Sequence, residues 1–287
     1  MYKSIVAGTD LSTTAKIATD RAANLAHKLD AKLYLVHAGT DPGDPLKELA
    51  GEYGAEVVVK EGPPVDVLIE QTEKLDSALL VVGSVGMSGA RRFLLGNVPN
   101  KVSHHATTDL LIVKTDPAPE HVGDYRGILV GADGSSTAMR AVEIASDLAK
   151  RLGVAPIIVT AYQPPTEQEL KRMRSDSQDP VAQWGSSKTT RSTPEEFRWR
   201  LADAAQAEDV LERAAEHASR FGVKADVRAV EGAAAETLIS VAKEEDVDLM
   251  VVGSVGMTGA KRFALGNVPN RVSHHAPTDV LILHTTS

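Results

Sequence analysis

The stretch "GSVGMSGARRFLLGNVPNKVSHHA" runs from Gly83 to Ala106, and "GSVGMTGAKRFALGNVPNRVSHHA" runs from Gly253 to Ala276. Each follows an apolar run ending in two valines, and each passes from a glycine-spaced loop into a helix-like segment. In an open parallel sheet, the residues just beyond the carboxyl ends of the strands form the binding edge. Glycine serves there because it accepts positive φ and lets a phosphate approach bare backbone amides. Gly83, Gly86 and Gly96 are spaced G-x2-G-x9-G, and Gly253, Gly256 and Gly266 repeat the spacing. Asn97 and Val98, like Asn267 and Val268, open the segment that follows. Asn97 is expected to cap that helix, whose free N–H groups and dipole favour an anion. Arg91 and Arg92, with Lys261 and Arg262, follow the loops and could neutralise phosphate, although solvated helix charge is the plainer reading.

The whole chain repeats. "SIVAGTDLS" (Ser4 to Ser12) matches "GILVGADGS" (Gly127 to Ser135) at an offset of 123, whereas the match from "VKEG" onto "AVEG" (ending Gly232) has an offset of 170. The second copy therefore carries 47 extra residues between Ala161 and Gly222. Within each copy, short β-branched runs such as "LYLVHA" and "DLLIVKT" alternate with amphipathic stretches. In "STTAKIATDRAANLAHKLD", Ala15, Ala18, Ala22, Leu25, Ala26 and Leu29 fall on one stripe, with Ser12 as its N-cap. Apolar strands joined by helices predict an α/β fold with a parallel sheet covered on both faces. The reading is two domains of five strands each, residues 1–115 and 127–287, joined by a linker over 116–126. A polar excursion at about 163–195 accounts for most of the excess, and a long helix is expected from Thr193 and Pro194 to Gly222.

The chain has 287 residues, room for two cores, and a formal charge of -8, which offers no positive field for a nucleic-acid backbone. With no cysteine there is no disulfide and no thiolate nucleophile. No signal-peptide core and no apolar run of membrane-spanning length stands out, so a cytoplasmic location with no membrane partner is the expectation.

Two familiar glycine loops do not fit. The order G-x-x-G is not the G-x-G-x-x-G dinucleotide fingerprint, and no G-x-x-x-x-G-K-[ST] occurs. The segments "AGTDLS" and "VGADGS", "VGSVGMSGARRFLLGNV" and "VGSVGMTGAKRFALGNV", and the closing strands "TDLLIVK" and "TDVLILH" resemble tandem universal stress protein domains of the ATP-binding type. The resemblance covers nearly all of both copies. It implies Rossmann-like (adenine nucleotide alpha hydrolase-like) domains, ATP, ADP or AMP at the strand ends, and pairing of domains through their last strands. By matching position, Gly8, Thr9, Asp10 and Ala38, with Gly131, Ala132, Asp133 and Ala161, would lie at the adenosine end. Gly83, Gly86, Arg92, Gly96, Asn97 and Val98, with Gly253, Gly256, Arg262, Gly266, Asn267 and Val268, would hold ribose and phosphates. The family pattern has a hydroxyl residue where this chain has Asn97 and Asn267, which bears on any Mg2+ contact.

Plainer readings stand beside these. The glycines also suit tight strand-to-helix packing, and Asp10 and Asp133, each two residues before a serine, suit a turn. The pairs His104–His105 and His274–His275 point about 100° apart on a helix with no carboxylate spaced to join them, so surface or structural histidines are expected rather than a metal site. Trp184 and Trp199 lie in or beside the excursion and could mark a partner contact. No catalytic residue is assigned, because the loops hold no Asp, Glu or His before His104. A nucleotide-binding stress or signalling protein is the leading reading, against a slow ATP hydrolase or nucleotidyl enzyme and a ligand-free interaction module. An unknown protein partner and a higher homo-oligomer stay open. The strands Asp109 to Lys114 and Asp279 to His284 are expected to pair antiparallel within the chain, since each would otherwise leave an apolar edge.

Overall fold

A computed structural model describes residues 1–75, 78–85, 95–115, 122–163, 195–255 and 265–284, the stretch 195–204 as helix backbone without its side chains. Gly86, Arg91, Arg92, Gly256, Lys261, Arg262, Trp184, residues 116–121 of the linker and 164–194 of the excursion lie outside the described residues, as does the side chain of Trp199.

The first copy runs β1 (Ser4–Gly8), α1 (Thr13–Leu29), β2 (Lys32–Ala38), α2 (Asp44–Tyr53), β3 (Glu56–Lys60), α3 (Pro64–Glu73), β4 (Ala78–Gly83), α4 (Asn97–His105) and β5 (Asp109–Val113). The second runs β6 (Ile128–Gly131), α5 (Ser136–Leu152), β7 (Pro156–Tyr162), α6 (Glu195–Arg220), β8 (Asp226–Glu231), α7 (Ala234–Glu244), β9 (Leu249–Gly253), α8 (Asn267–His275) and β10 (Asp279–Leu283). Within each copy the five strands are parallel, in the doubly wound orders β3-β2-β1-β4-β5 and β8-β7-β6-β9-β10. The order reverses beside the first strand of each half, where β1 lies between β2 and β4 and β6 between β7 and β9, which is where such sheets open a crevice.

The two halves form one sheet of ten strands because β5 and β10 pair antiparallel, with Leu281 opposite Leu111 and Val280 opposite Ile112. Every residue of both strands is buried. Both sheet faces are covered. One apolar cluster joins α1, α2, α5 and α6 to residues such as Ile5, Leu79, Leu111 and Leu281, and the other joins α3, α4, α7 and α8 to Leu80, Ile112, Met250 and Ile282. Alternation along each central strand delivers residues to both clusters, so these strands read as unbroken apolar runs.

Capping fixes where the helices begin. Ser12 accepts from the Ala15 N–H and Ser135 from the Ala138 N–H, each at 3.2 Å, the bonds that end-of-strand serines are suited to make. The α6 helix follows the predicted course and ends at Arg220, with Gly222 at φ +78° behind it. Its expected cap, Thr193, and Pro194 lie outside the described residues.

The seam carries polar groups in matched sets. Asp109, at the start of β5, accepts from the Tyr2 hydroxyl (2.8 Å), from the His284 backbone N–H (2.9 Å) and from both terminal nitrogens of Arg140 (2.8 and 2.6 Å). Asp279, at the start of β10, accepts from the Tyr125 hydroxyl (2.7 Å) and the Lys114 backbone N–H (2.8 Å), and lies 3.0 Å from Arg21 Nε. The Arg21 guanidinium also stacks 4.1 Å from the centre of the Tyr125 ring. The end of the linker is fastened down: Val122 and Gly123 carbonyls accept from Asn24 and Arg21, and Asp124 pairs with Lys28 at 2.8 Å.

Candidate functional site

In the second half a cleft of about 510 Å³ opens beyond the strand ends. Its floor comes from β6, β7 and β9 through Gly131, Val159, Ala161, Val252 and Gly253. One rim is the turn into α5, with Ala132, Asp133 and Ser135, and the other is the start of α8, with Gly266, Asn267 and Val268. The volume lies in the range of small-molecule sites, and the lining is mostly apolar with a few polar groups at the rims.

Local sequence explains each rim. The Asp133 carboxylate accepts from the Ser135 N–H at 3.0 Å, and Gly134 between them takes φ +84°. The same turn in the first half has Asp10 accepting from the Ser12 N–H (3.0 Å) and hydroxyl (2.5 Å), with Leu11 at φ +62°. Leucine at that angle carries a steric cost that glycine avoids. The turn reading of both aspartates is therefore met, and Asp133 is also one of the residues lining the cleft. Below the turn, β1 and β6 extend their ladders by one bond, Thr9 N–H to the Val36 carbonyl (3.0 Å) and Ala132 N–H to that of Val159 (2.9 Å). In the first half the Thr9 carbonyl also lies 3.0 Å from His37 Nδ1, and Ala38 ends β2 half-buried beside it.

The glycine loops are closed at their base. The Gly96 N–H donates to the Ser84 carbonyl and the Gly266 N–H to that of Ser254, both at 2.8 Å. A Cβ on Gly266 would lie 3.1 Å from the Ser254 oxygen, and one on Gly253 2.8 Å from Thr137 Oγ1, so both positions need glycine for close approach. Thr137 in turn donates to the Val255 carbonyl and holds the loop against α5.

This closure corrects the expected cap. Gly96 and Gly266, in extended backbone, are the N-caps; Asn97 and Asn267 are the first helical residues, and no side chain caps either helix. The chain turns one residue early because the glycine N–H is already committed to the serine carbonyl. At the third helical position Pro99 and Pro269 have no N–H to satisfy. The N–H groups of Asn97 and Val98, and of Asn267 and Val268, are thus the donors of the first turn with no carbonyl inside the helix to bond. They face a dipole-enriched end suited to an anion.

Of the residues singled out in the sequence, Gly131, Ala132, Asp133, Ala161, Gly253, Gly266, Asn267 and Val268 line this one cleft. In the first half Gly8, Thr9, Asp10, Ala38, Gly83, Gly96, Asn97 and Val98 occupy the corresponding strand ends and helix start. Sequence reasoning missed the apolar walls, Leu238 and Ala234 from α7, Val252, Val255 and Leu265. The closeness of one wall shows only in the fold, where a Cβ on Gly131 would lie 2.9 Å from the end of the Leu238 side chain.

Of the histidine pairs, His274 reaches across to the first half. His274 Nδ1 lies 3.5 Å from the Leu95 N–H, and burial together with His275, Lys114 and His104 pushes His274 below the ordinary histidine range. Among the described residues no three His, Asp or Glu side chains are grouped to hold a metal, and no helix is long and apolar enough to cross a membrane.

The universal stress protein family matches the chain over residues 1–56, 46–114 and 124–284. The universal stress protein Rv1636 of Mycobacterium tuberculosis is 36% identical over 163 residues, which cover 56% of this chain and 98% of that protein. Rv2623 of the same organism is 27% identical over 311 residues, spanning 97% of this chain and 95% of its own length. Among solved structures, a universal stress protein from Archaeoglobus fulgidus shares the fold across 99% of both chains, with a TM-score of 0.63 and 18% identity.

Proposed function

Given that the chain belongs to the universal stress protein family, we propose that each half binds one adenine nucleotide at its strand ends and that occupancy alters the protein's shape or its partners. The cleft of the second half is the observation that carries this reading. Its apolar floor at Val159, Ala161 and Leu238 suits the face of a base, and the first-turn N–H groups of Asn267 and Val268 suit phosphate oxygens. Asp133, which lines the rim, would accept a hydrogen bond from a ribose hydroxyl in this arrangement. ATP is the nucleotide favoured by the long glycine spacing, which leaves backbone for several phosphates. The reading assigns no metal ligand to the protein, because Asn267 and Asn97 offer an amide where a hydroxyl would bind a cation such as Mg2+ most directly. It also assigns no general base, so the site holds and releases nucleotide rather than turning it over.

Calorimetric titration with ATP tests the assignment. The wild-type chain should take up two equivalents, and Ala161→Phe, which fills the cleft of the second half, should take up one while keeping its circular dichroism spectrum. Two full equivalents in the Ala161→Phe protein, or no uptake by the wild type, would overturn it.

A further inference from the structure

The pairing of β5 with β10 sets the end of α8, from the second half, against the loop that feeds α4 in the first. The Leu95 N–H points to His274 Nδ1 at 3.5 Å, a long contact that joins the two halves. Next to His274, the Ser273 carbonyl accepts from Lys114 Nζ at 2.9 Å, and Lys114 is itself tied through its backbone N–H to Asp279 at 2.8 Å. Leu95 is buried and immediately precedes Gly96, the residue that caps α4 and whose N–H closes the glycine loop on Ser84. An imidazole of one half thus contacts the backbone two residues ahead of the other half's first-turn donors.

We propose that His274 is a positioning residue for the phosphate side of the first-half site, supplied by the second half of the chain; this rests on the nucleotide reading above. The imidazole must be an acceptor at Nδ1, hence neutral with its proton on Nε2. Its partial burial, and then the basic groups that face it, His275, Lys114 and His104, favour that neutral form. An acceptor at this point holds the Leu95 N–H just ahead of Gly96, whose own N–H is tied to the Ser84 carbonyl, and so steadies the approach to the Asn97 and Val98 N–H groups behind it. Its effect should therefore be felt by phosphate and not by the base or ribose, which sit at the far rim formed by Thr9, Asp10 and Ala38.

Photolabelling of the full chain separates the possibilities. Wild type, His274→Ala and His274→Asn are titrated with 8-azido-ATP and with 8-azidoadenosine, and labelled peptides are assigned to residues 1–115 or 127–287 by mass spectrometry. Asparagine carries an amide oxygen near the position of Nδ1 and keeps an acceptor. In His274→Ala the 8-azido-ATP concentration for half-labelling of the first half should rise roughly tenfold, the equivalent of about 1.4 kcal/mol. Labelling of the second half, and of the first half by 8-azidoadenosine, should be unchanged, and His274→Asn should recover most of the loss. An unchanged 8-azido-ATP titration, an equal loss with the nucleoside, or an equal loss in both halves would overturn the role of His274. Absence of labelling by either probe in the wild type would overturn the nucleotide reading, and this role with it.

Discussion

Arg21 and Asp279 meet 3.0 Å apart across the seam between the two halves, their side chains 5% and 6% exposed. The corresponding pair on the other side, Arg140 and Asp109, is closer at 2.6 Å, but the Arg140 side chain is 29% exposed. Removing one member of a buried ion pair leaves the other charged and unsolvated, at about 3–5 kcal/mol. Asp279→Ala should therefore lose stability in that range, and Asp109→Ala should lose less because water can reach Arg140. Urea unfolding of the two variants provides the comparison, and equal losses would contradict the exposure argument.

Lys114 is half-buried at the same seam, and loss of solvent brings its ammonium down to about 8 from an ordinary 10.5, against the pull of Asp279. Between those values the unfolded chain holds the proton and the folded chain does not, so this group's contribution to stability rises with pH through that window. Lys114→Met removes the dependence. Its stability relative to wild type should fall by about 3 kcal/mol between pH 7 and pH 10.5, the free-energy equivalent of the shift. A difference that stays constant with pH would mean that the Lys114 charge is not desolvated.

Ser12 and Ser135 cap their helices with the same bond, at 3.2 Å to Ala15 and Ala138. Alanine at either position should cost about 1 kcal/mol in thermal or urea unfolding. The two losses should agree within a few tenths, since each serine makes the same cap bond and the same hydroxyl contact, with Thr14 or Thr137, two residues on. A negligible loss at both sites would show that the Asp10 and Asp133 turns alone start these helices.

Amide exchange should rank the strands from the middle outward. Leu110 to Ile112 and Val280 to Ile282 pair across the seam, are fully buried, and should exchange with the slowest amides of the chain. The outer strands β3 and β8, which carry the exposed Val57 and Val227, should exchange much faster. Hydrogen–deuterium exchange read by mass spectrometry resolves these segments. Seam peptides that exchange as fast as β3 would show that the halves part without unfolding.

The strands and first-helix caps were legible in the sequence because their signals are local. "SIVAG" is β1 residue for residue, and Ser12 announces its cap by following a turn-forming Asp at two positions' distance, a pattern that Ser135 repeats in the structure. The Asn97 cap was misplaced because the deciding bond, Gly96 to Ser84, closes across a twelve-residue separation that propensity does not see. The seam's ionic pairs were hidden for a different reason. Tyr2 and Tyr125 match in the repeat, as do Asp109 and Asp279, but the arginines do not: the offset of 123 sets Ile144 against Arg21 and Ile17 against Arg140. Only when the two halves are packed together do helix faces one turn apart deliver equivalent charges to equivalent aspartates. The apolar walls of the cleft were also invisible, since Leu238 and Val252 look like any other core residues until the sheet order brings them to one crevice.

The antiparallel join of β5 to β10 has a consequence for divergence. Two separate chains meeting through such an edge would be copies of one gene product, so every substitution would appear on both sides of the axis and both crevices would change together. Here the covalent link makes the encounter intramolecular, with an effective concentration in the millimolar range whatever the dilution. Each crevice is then free to drift alone. The chain already carries such differences: His37 against Thr160 beneath the first turn, Leu11 against Gly134 within it, and Lys114 against His284 at the seam. A fused pair can keep one half as a receptor and turn the other into its adjustable support, a division of labour closed to any symmetric dimer.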